Sequence, residues 1–180
     1  MNREIETDRL ILHPPRSEDA AEIARLVGNR KVAFMLARVP WPYTEDDARS
    51  FLSSRDGRPD GEIVFALYRK SDPERLIGVC GYDPVSHGKP DLGYWLGEPY
   101  WGQGYMSEAA AAVRDHAFTQ SGHTLLYSGC HITNIASRRV LEKIGFKRVG
   151  LGHIFSRARG ANVPVDRFAM TRERWEGLRS

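Results

Sequence analysis

The stretch Trp101-Gly-Gln-Gly-Tyr-Met106 runs straight into Ser107-Glu-Ala-Ala-Ala-Ala-Val113, and it constrains the fold more than any other part of the chain. Two glycines one residue apart separate a strand-like run, Leu92 to Leu96, from a run of strong helix formers. A backbone loop therefore feeds a helix N-terminus, which offers unpaired N–H groups and the positive end of a dipole to an anion. Glycine admits the turn and lets a bulky ligand approach the main chain. A polyphosphate-bearing cofactor is the first ligand this arrangement implies. It is not a Walker loop, because no Gly-Lys-Ser/Thr follows, and it lacks the third glycine and downstream acid of a dinucleotide fingerprint.

The surrounding pattern reads as mixed α/β. Arg9 to Leu12, Ile63 to Tyr68, Leu76 to Cys80, Leu92 to Leu96, Leu125 to Ile132, Phe146 to Phe155 and Val165 to Met170 have strand character. Ser17 marks an N-cap ahead of a helix that ends at Gly28-Asn29, and Thr44 with Asp47 forms a capping-box variant opening a second helix to Ser54. Gly57 to Gly61 and Asp83 to Pro90 read as loops, and Ser71-Asp72-Pro73 as a turn. A third helix runs to about Gly122 with the apolar stripe Met106, Ala109, Ala110, Val113 and Ala117. A fourth, capped by Thr133 or Asn134, buries Val140, Leu141 and Ile144 and stops at Gly145. The polar tail from Thr171 forms a helical turn anchored by Trp175. No repeat or interdomain linker interrupts the 180 residues, so one domain over 1–180 is expected.

Hydrophobic residues make up 41% of the chain and charged residues 27%, as in an ordinary globular protein. No apolar run reaches membrane-span length and the first residues carry no signal-peptide stretch, so a cytoplasmic protein without membrane association is expected. The net charge of +3 is spread among interleaved acids and bases, which does not imply nucleic acid as a partner. Local excesses at Arg138-Arg139, Lys143 to Arg148 and Arg157 to Arg159 suit a small polyanion or a solvated face. Cys80 and Cys130 lie in apolar runs and read as buried free thiols. The six histidines lack metal-ligand spacing, so no metal is expected.

The second suggestive cluster is Asn134-x-x-Ser137, whose members share one helix face and whose simplest role is capping. Taken together, Gly93-Tyr-Trp-Leu96, Gly102-Gln-Gly-Tyr-Met-Ser-Glu-Ala109 and Asn134-x-x-Ser-x-x-Val-Leu-Glu-Lys-x-Gly-Phe146 resemble the GNAT superfamily of acyl-CoA N-acyltransferases. Within it they resemble the RimJ/RimL-like subgroup, named for ribosomal-protein N-terminal acetyltransferases. Thr7-Asp-Arg-Leu-Ile-Leu12 is similar to that subgroup's first strand, and the element order agrees from about residue 7 to 172. The resemblance implies a central mixed, mostly antiparallel sheet of about seven strands, splayed between the fourth and fifth, with about four flanking helices. It further implies that acetyl-CoA lies in the splay as co-substrate. Backbone groups near Leu96 would hold its pantetheine arm, the amides of Gly102, Gln103, Gly104, Tyr105 and Met106 its diphosphate, and Asn134 would contact it from the far side.

Three departures from the superfamily pattern matter. Trp101 replaces the usual Gln or Arg, and Met106 replaces the closing Gly or Ala; backbone N–H contacts survive both, provided Met106 points away from the phosphates. The tyrosine that protonates the leaving thiolate in many members corresponds to Leu141, and Ser137 is the serine that RimL-like enzymes are thought to use instead. The acidic general base proposed for RimL-like enzymes aligns near Ser156 and cannot be carried over.

Acetyl transfer to an amine requires amine deprotonation, stabilisation of the carbonyl oxygen and departure of a thiolate. An α-amine of pKa near 8 is neutral for roughly a tenth of molecules at pH 7, a lysine for only a few in about ten thousand, a difference of about 3 kcal/mol. A lysine acceptor thus needs a better placed base than an α-amine does. Asp91 and His131 are the leading bases, with Asp83 and Glu108 behind them; Glu108, in the first turn of a helix, is better suited to capping. Oxyanion stabilisation would come from a strand N–H near Leu96, and Trp41, Pro42 and Tyr43 would wall the acceptor pocket. The expected function is acetyl-CoA-dependent N-acetylation of a primary amine by direct attack in a ternary complex. The acceptor is a protein N-terminus, an amino acid, a polyamine or an aminoglycoside-like molecule, and a homodimer is compatible with this reading. The alternative is a non-catalytic acyl-CoA-binding regulatory module.

Overall fold

The computed structural model describes residues 4–54, 63–83 and 90–179. The expected loop at Gly57 to Gly61 lies outside them, as does that at Asp83 to Pro90 except for its two end residues. The strands are β1 (Ile5–Glu6), β2 (Leu10–His13), β3 (Ile63–Arg69), β4 (Asp72–Asp83), β5 (Asp91–Leu96), β6 (Leu125–His131), β7 (Lys147–Ser156) and β8 (Ala161–Thr171). The helices are α1 (Ala20–Val27), α2 (Arg30–Ala33), α3 (Glu45–Ser53), α4 (Tyr105–Thr119), α5 (Ile135–Lys143) and α6 (Arg172–Gly177). The strands form one sheet in the order β1-β2-β3-β4-β5-β6-β8-β7, antiparallel everywhere except between β5 and β6. The sheet therefore has eight strands rather than about seven, because the two-residue β1 is too short to leave a periodic signal. For the same reason the splay falls between the fifth and sixth strands; the chain segments are the expected ones.

Local chemistry accounts for most boundaries. Thr44 and Asp47 close a reciprocal capping box on α3, with Thr44 N donating to Asp47 Oδ2 at 2.8 Å and Asp47 N to Thr44 Oγ1 at 3.2 Å. Ahead of α1 the capping acid is Asp19 rather than Ser17. Its Oδ2 accepts from Arg16 N at 2.6 Å and from the buried Tyr68 hydroxyl at 2.6 Å, over a 3₁₀ turn at Ser17–Asp19. The turn expected at Ser71-Asp72-Pro73 tightens to Lys70-Ser71, and β4 begins at Asp72. A register shift opposite Tyr68 and Arg69 takes up Pro73 to Arg75, so the proline owes no ladder bond. The stripe Met106, Ala109, Ala110, Val113 and Ala117 is buried as the pattern predicts, as are Leu141 and Ile144. In the tail, Trp175 stacks on Phe118 and donates to Asp115 Oδ1 at 2.7 Å, pinning α6 against α4.

Strand alternation gives the sheet two chemically different faces. Tyr82 on β4 reaches His116 of α4, and Tyr94, two rungs along on β5, reaches Ser137 of α5, so these residues share the face covered by α4 and α5. Asp83 on the opposite face bonds Arg38 in the segment after α2. The β7–β8 turn clasps that segment: Arg157 N donates to Ala37 O, Ser156 Oγ to Leu36 O and Arg159 Nε to Phe34 O. Ser156 is thus a buried structural clamp.

Candidate active site

The loop between β5 and α4 is held open by two left-handed glycines, Gly102 at φ +74° and Gly104 at φ +81°, the latter in the N-cap position. A side chain at either would be strained, and a Cβ on Gly104 would sit 3.3 Å from Arg9 Nη2. Among the described residues, no protein oxygen accepts from the amides of Gly102 through Ser107; the first helical bond of α4 is Glu108 N to Gly104 O. The helix head therefore presents a run of unsatisfied N–H groups. Tyr105 and Met106 belong to this run, and Met106 turns its side chain into the core. The Gln103 side chain folds back to donate to Pro99 O at 3.2 Å, leaving only its main chain for a ligand.

A cross-chain clamp fixes this loop. Glu108 accepts from Thr7 Oγ1 at 2.6 Å, from Arg9 N at 2.8 Å and from Arg9 Nε at 2.7 Å, while Arg9 Nη1 donates to Gln103 O and its guanidinium lies 4.5 Å from the centre of the Tyr105 ring. Burial alone would raise the Glu108 carboxyl; the three hydrogen bonds and the Arg9 charge outweigh it and hold the group below the ordinary carboxylate range. Glu108 is thereby committed to the clamp and is no longer available as a base.

β5 and β6 pair only at Asp91↔Tyr127 and Leu92↔Ser128, then diverge. Gly97 N bonds Ile77 O on β4, so by alternation the main-chain groups of Leu92, Tyr94 and Leu96 face the gap. Ser128 Oγ closes the vertex by donating to Leu92 O at 2.8 Å. At the other end Trp101 Nε1 donates to Leu96 O at 2.7 Å, which leaves the N–H of Leu96 and both main-chain groups of Tyr94 along the open edge. Trp101 is therefore part of the wall, a role its sequence position does not reveal.

On the α4–α5 face, Asn134 caps α5, its Oδ1 accepting from Ser137 N at 3.1 Å. Ser137 lies under Tyr94: the two hydroxyls are 2.9 Å apart, and Tyr94 Oη also approaches Ser137 O at 3.3 Å. The Cys130 thiol is raised chiefly by burial and also contacts Ser137. Leu141, where a tyrosine stands in many superfamily members, is fully buried and cannot reach the gap.

On the opposite face Asp91 and Asp83 are cross-strand partners. Burial raises the Asp91 carboxyl, Arg167 and Arg38 pull it back, and Asp83 pushes it up again; the balance is upward. Arg38 Nη1 pairs with Asp83 at 3.0 Å. Arg167 lies opposite Gly129 of β6 and against Gly152 of β7, whose missing side chains leave its track free. His131 is buried at the end of β6, where its Nδ1 meets Thr133 Oγ1 at 2.7 Å and accepts from Thr133 N at 3.2 Å. That bonding assigns the ring proton to Nε2, and burial followed by the Arg159 charge lowers its pKa, so the neutral ring has no free lone pair for a proton.

A single cavity of about 1450 Å³ joins the glycine loop, the splay and both faces. It takes in Leu96, Gly102, Gly104, Tyr105, Met106, Asn134, Ser137, Asp91 and His131, so the sequence candidates converge except for the Gln103 side chain. Tyr43 lines it, whereas Trp41 packs edge-on against Phe34 and donates to Gly28 O. Lys31, Arg38, Arg139, Lys143, Arg157 and Arg167 also line it, against Asp47, Asp83 and Asp91. Arg139 and Lys143, four apart on α5, lie in the basic stretches visible in the sequence; Arg167 and the contact of Tyr94 with Ser137 gave no signal, because only the fold brings them to the site.

Comparison with known proteins agrees with this geometry. Residues 9–147 match the family described as Acetyltransferase (GNAT) domain. An N-acetyltransferase named p20 from Bacillus licheniformis is 23% identical over 173 residues, covering 95% of this chain and 97% of the relative. The Escherichia coli [ribosomal protein uS5]-alanine N-acetyltransferase is 26% identical over 157 residues, covering 80% and 78%. The Mycobacterium smegmatis RimJ structure in complex with CoA-disulfide superposes with a TM-score of 0.78 at 23% identity, covering 91% of this chain and 82% of that one.

Proposed function

The chain belongs to the GNAT acetyltransferase family, and from that premise we propose that it transfers an acetyl group from acetyl-CoA to a primary amine by direct attack within a ternary complex. The acceptor is a protein N-terminal α-amine or a small-molecule amine; the name of the uS5-alanine relative favours the former. The observation that carries this reading is the run of unengaged amides from Gly102 to Ser107 opening onto a splayed strand edge. A diphosphate satisfies those donors, and the pantetheine arm replaces the missing β6 partner along Tyr94 and Leu96. Arg139 and Lys143 supply cations for further phosphate, and Asn134 borders the same channel.

Acetyl-CoA supplies the activated acyl group, and the chain does the rest. The two faces divide the labour. On the Asp91 face the amine enters between Asp91 and the wall that includes Tyr43, beside Gly93, around which nothing lies within 4 Å of a Cβ position. Asp91, its pKa raised by burial, accepts the amine proton; His131, with Nδ1 engaged, orders the turn before Asn134 instead. An outward N–H at Tyr94 or Leu96 faces the developing oxyanion. On the other face the Ser137 hydroxyl stabilises the departing thiolate. Calorimetry with coenzyme A and thiol release across a panel of α-amines and lysine-like amines test the reading together. Binding with turnover best on α-amines is expected; failure to bind coenzyme A, or binding with no turnover on any amine, overturns it.

A further inference from the structure

Ser137 sits in the first turn of α5, where Asn134 Oδ1 takes its N–H and leaves its hydroxyl to bond elsewhere. Here its Oγ lies 2.9 Å from Tyr94 Oη, which arrives from β5 on the other side of the splay. Tyr94 is one of the residues whose main chain faces the gap, so a single residue lines the channel with its backbone and touches α5 with its ring. We infer that Tyr94 is a positioning residue for acetyl transfer: its hydroxyl donates to Ser137 Oγ and so aims the Ser137 proton at the leaving sulfur.

This assignment rests on the acetyl-transfer reading above and deepens it. Tyr94 is not the proton source. Burial raises its phenol above an already weak acidity, with Ser137 only partly offsetting the rise, whereas a thiol has a pKa of about 8.5. Proton transfer from this phenol to a thiolate is therefore uphill. Tyr94 remains neutral and acts through the chain Tyr94 Oη–H to Ser137 Oγ–H to sulfur, in which each bond polarises the next. As the amine nitrogen bonds to the acetyl carbon, the carbon–sulfur bond breaks and its electron pair stays on sulfur, where the Ser137 hydrogen bond meets it. The amine proton passes to Asp91 and then to water, and the thiolate takes its proton from solvent. Cys130 Sγ is the competing acceptor for the Ser137 proton, and the leaving sulfur takes its place as charge develops there. The tyrosine missing at Leu141 is thus offset from across the splay, through a serine instead of directly.

The test is a double-mutant cycle of Tyr94→Phe and Ser137→Ala, read as kcat, KM for acetyl-CoA and coenzyme A affinity. Tyr94→Phe keeps the ring, and its melting temperature checks that the fold persists. It is expected to lower kcat by about fivefold to tenfold, the weight of one neutral hydrogen bond, with coenzyme A affinity within about twofold of wild type. In the Ser137→Ala background it should have no further effect on kcat. A full additional loss in that background, or an unchanged kcat in the single variant, overturns the assignment while leaving acetyl transfer intact. Absence of coenzyme A binding and thiol release in the wild-type chain would instead remove the parent reading, and this one with it.

Discussion

The two faces of the cleft are made from different materials. The proposed cofactor side uses main-chain amides from a few consecutive residues, Gly102 to Ser107, fixed by the Thr7–Arg9–Glu108 clamp. The proposed acceptor side uses side chains gathered from many elements: Asp83 and Asp91 from β4 and β5, Arg38 from the segment after α2, and Arg167 from β8. A backbone site tolerates exchange of side chains but not of conformation; a side-chain site does the reverse. That contrast also explains why Trp101 and Met106 can depart from the superfamily pattern without closing the loop.

Variants at the two sides sharpen or break the contrast. The largest effect is expected at the chemistry between them: Ser137→Ala should lower kcat by about a hundredfold, the loss of one donor to developing charge, with little change in coenzyme A affinity. Next comes Gly104→Val. A β-branched residue at φ +81°, pressed against Arg9, costs about 2 kcal/mol of backbone strain and should weaken coenzyme A binding by about thirtyfold in calorimetry.

Asp91→Asn should lower kcat/KM for an α-amine by about tenfold, because only roughly a tenth of the acceptor is neutral at pH 7 without a base, and leave coenzyme A affinity unchanged. It should also stabilise the protein at neutral pH. Because the folded-state pKa of Asp91 lies above its unfolded value, the native state holds the proton more tightly. The stability linked to this group therefore falls as pH rises from the unfolded pKa through the folded one, and stays low above it. Asn removes that penalty, so Tm at pH 7 should rise by about 2 °C, with the difference vanishing at low pH where Asp91 is protonated. The smallest effect is expected for Gln103→Ala, inside the same loop as Gly104: coenzyme A affinity within about twofold of wild type, since its side chain faces Pro99. A large loss there would show that the loop reads its ligand with side chains.

The same contrast governs what was legible in the sequence. The glycine loop, the Met106–Ala117 stripe, the Thr44–Asp47 box and the Asn134 cap are all local patterns, and each stands where its spacing placed it. Two local readings were displaced by longer-range contacts. Asp19 took over capping from Ser17 because the Tyr68 hydroxyl fixes its carboxylate from β3, and the turn near Asp72 moved because a bulge could absorb Pro73. The acceptor side was only partly visible. Asp91 stood out as an acid in the cofactor-binding strand, but its pairing with Asp83, the approach of Arg167 and the contact of Tyr94 with Ser137 follow from register between segments far apart in the chain. His131 and Glu108 had the right residue type for a base, yet each is engaged by neighbours that only the fold supplies: Thr133 in one case, Thr7 and Arg9 in the other.

Main-chain recognition of the diphosphate is tested most directly by following the amide resonances of ¹⁵N-labelled protein during titration with coenzyme A. The amides of Gly102, Gly104, Tyr105 and Met106 should move first and furthest, with smaller shifts along Tyr94 and Leu96. Saturating coenzyme A that leaves those four resonances in place, or that perturbs only residues outside the splay, would contradict it.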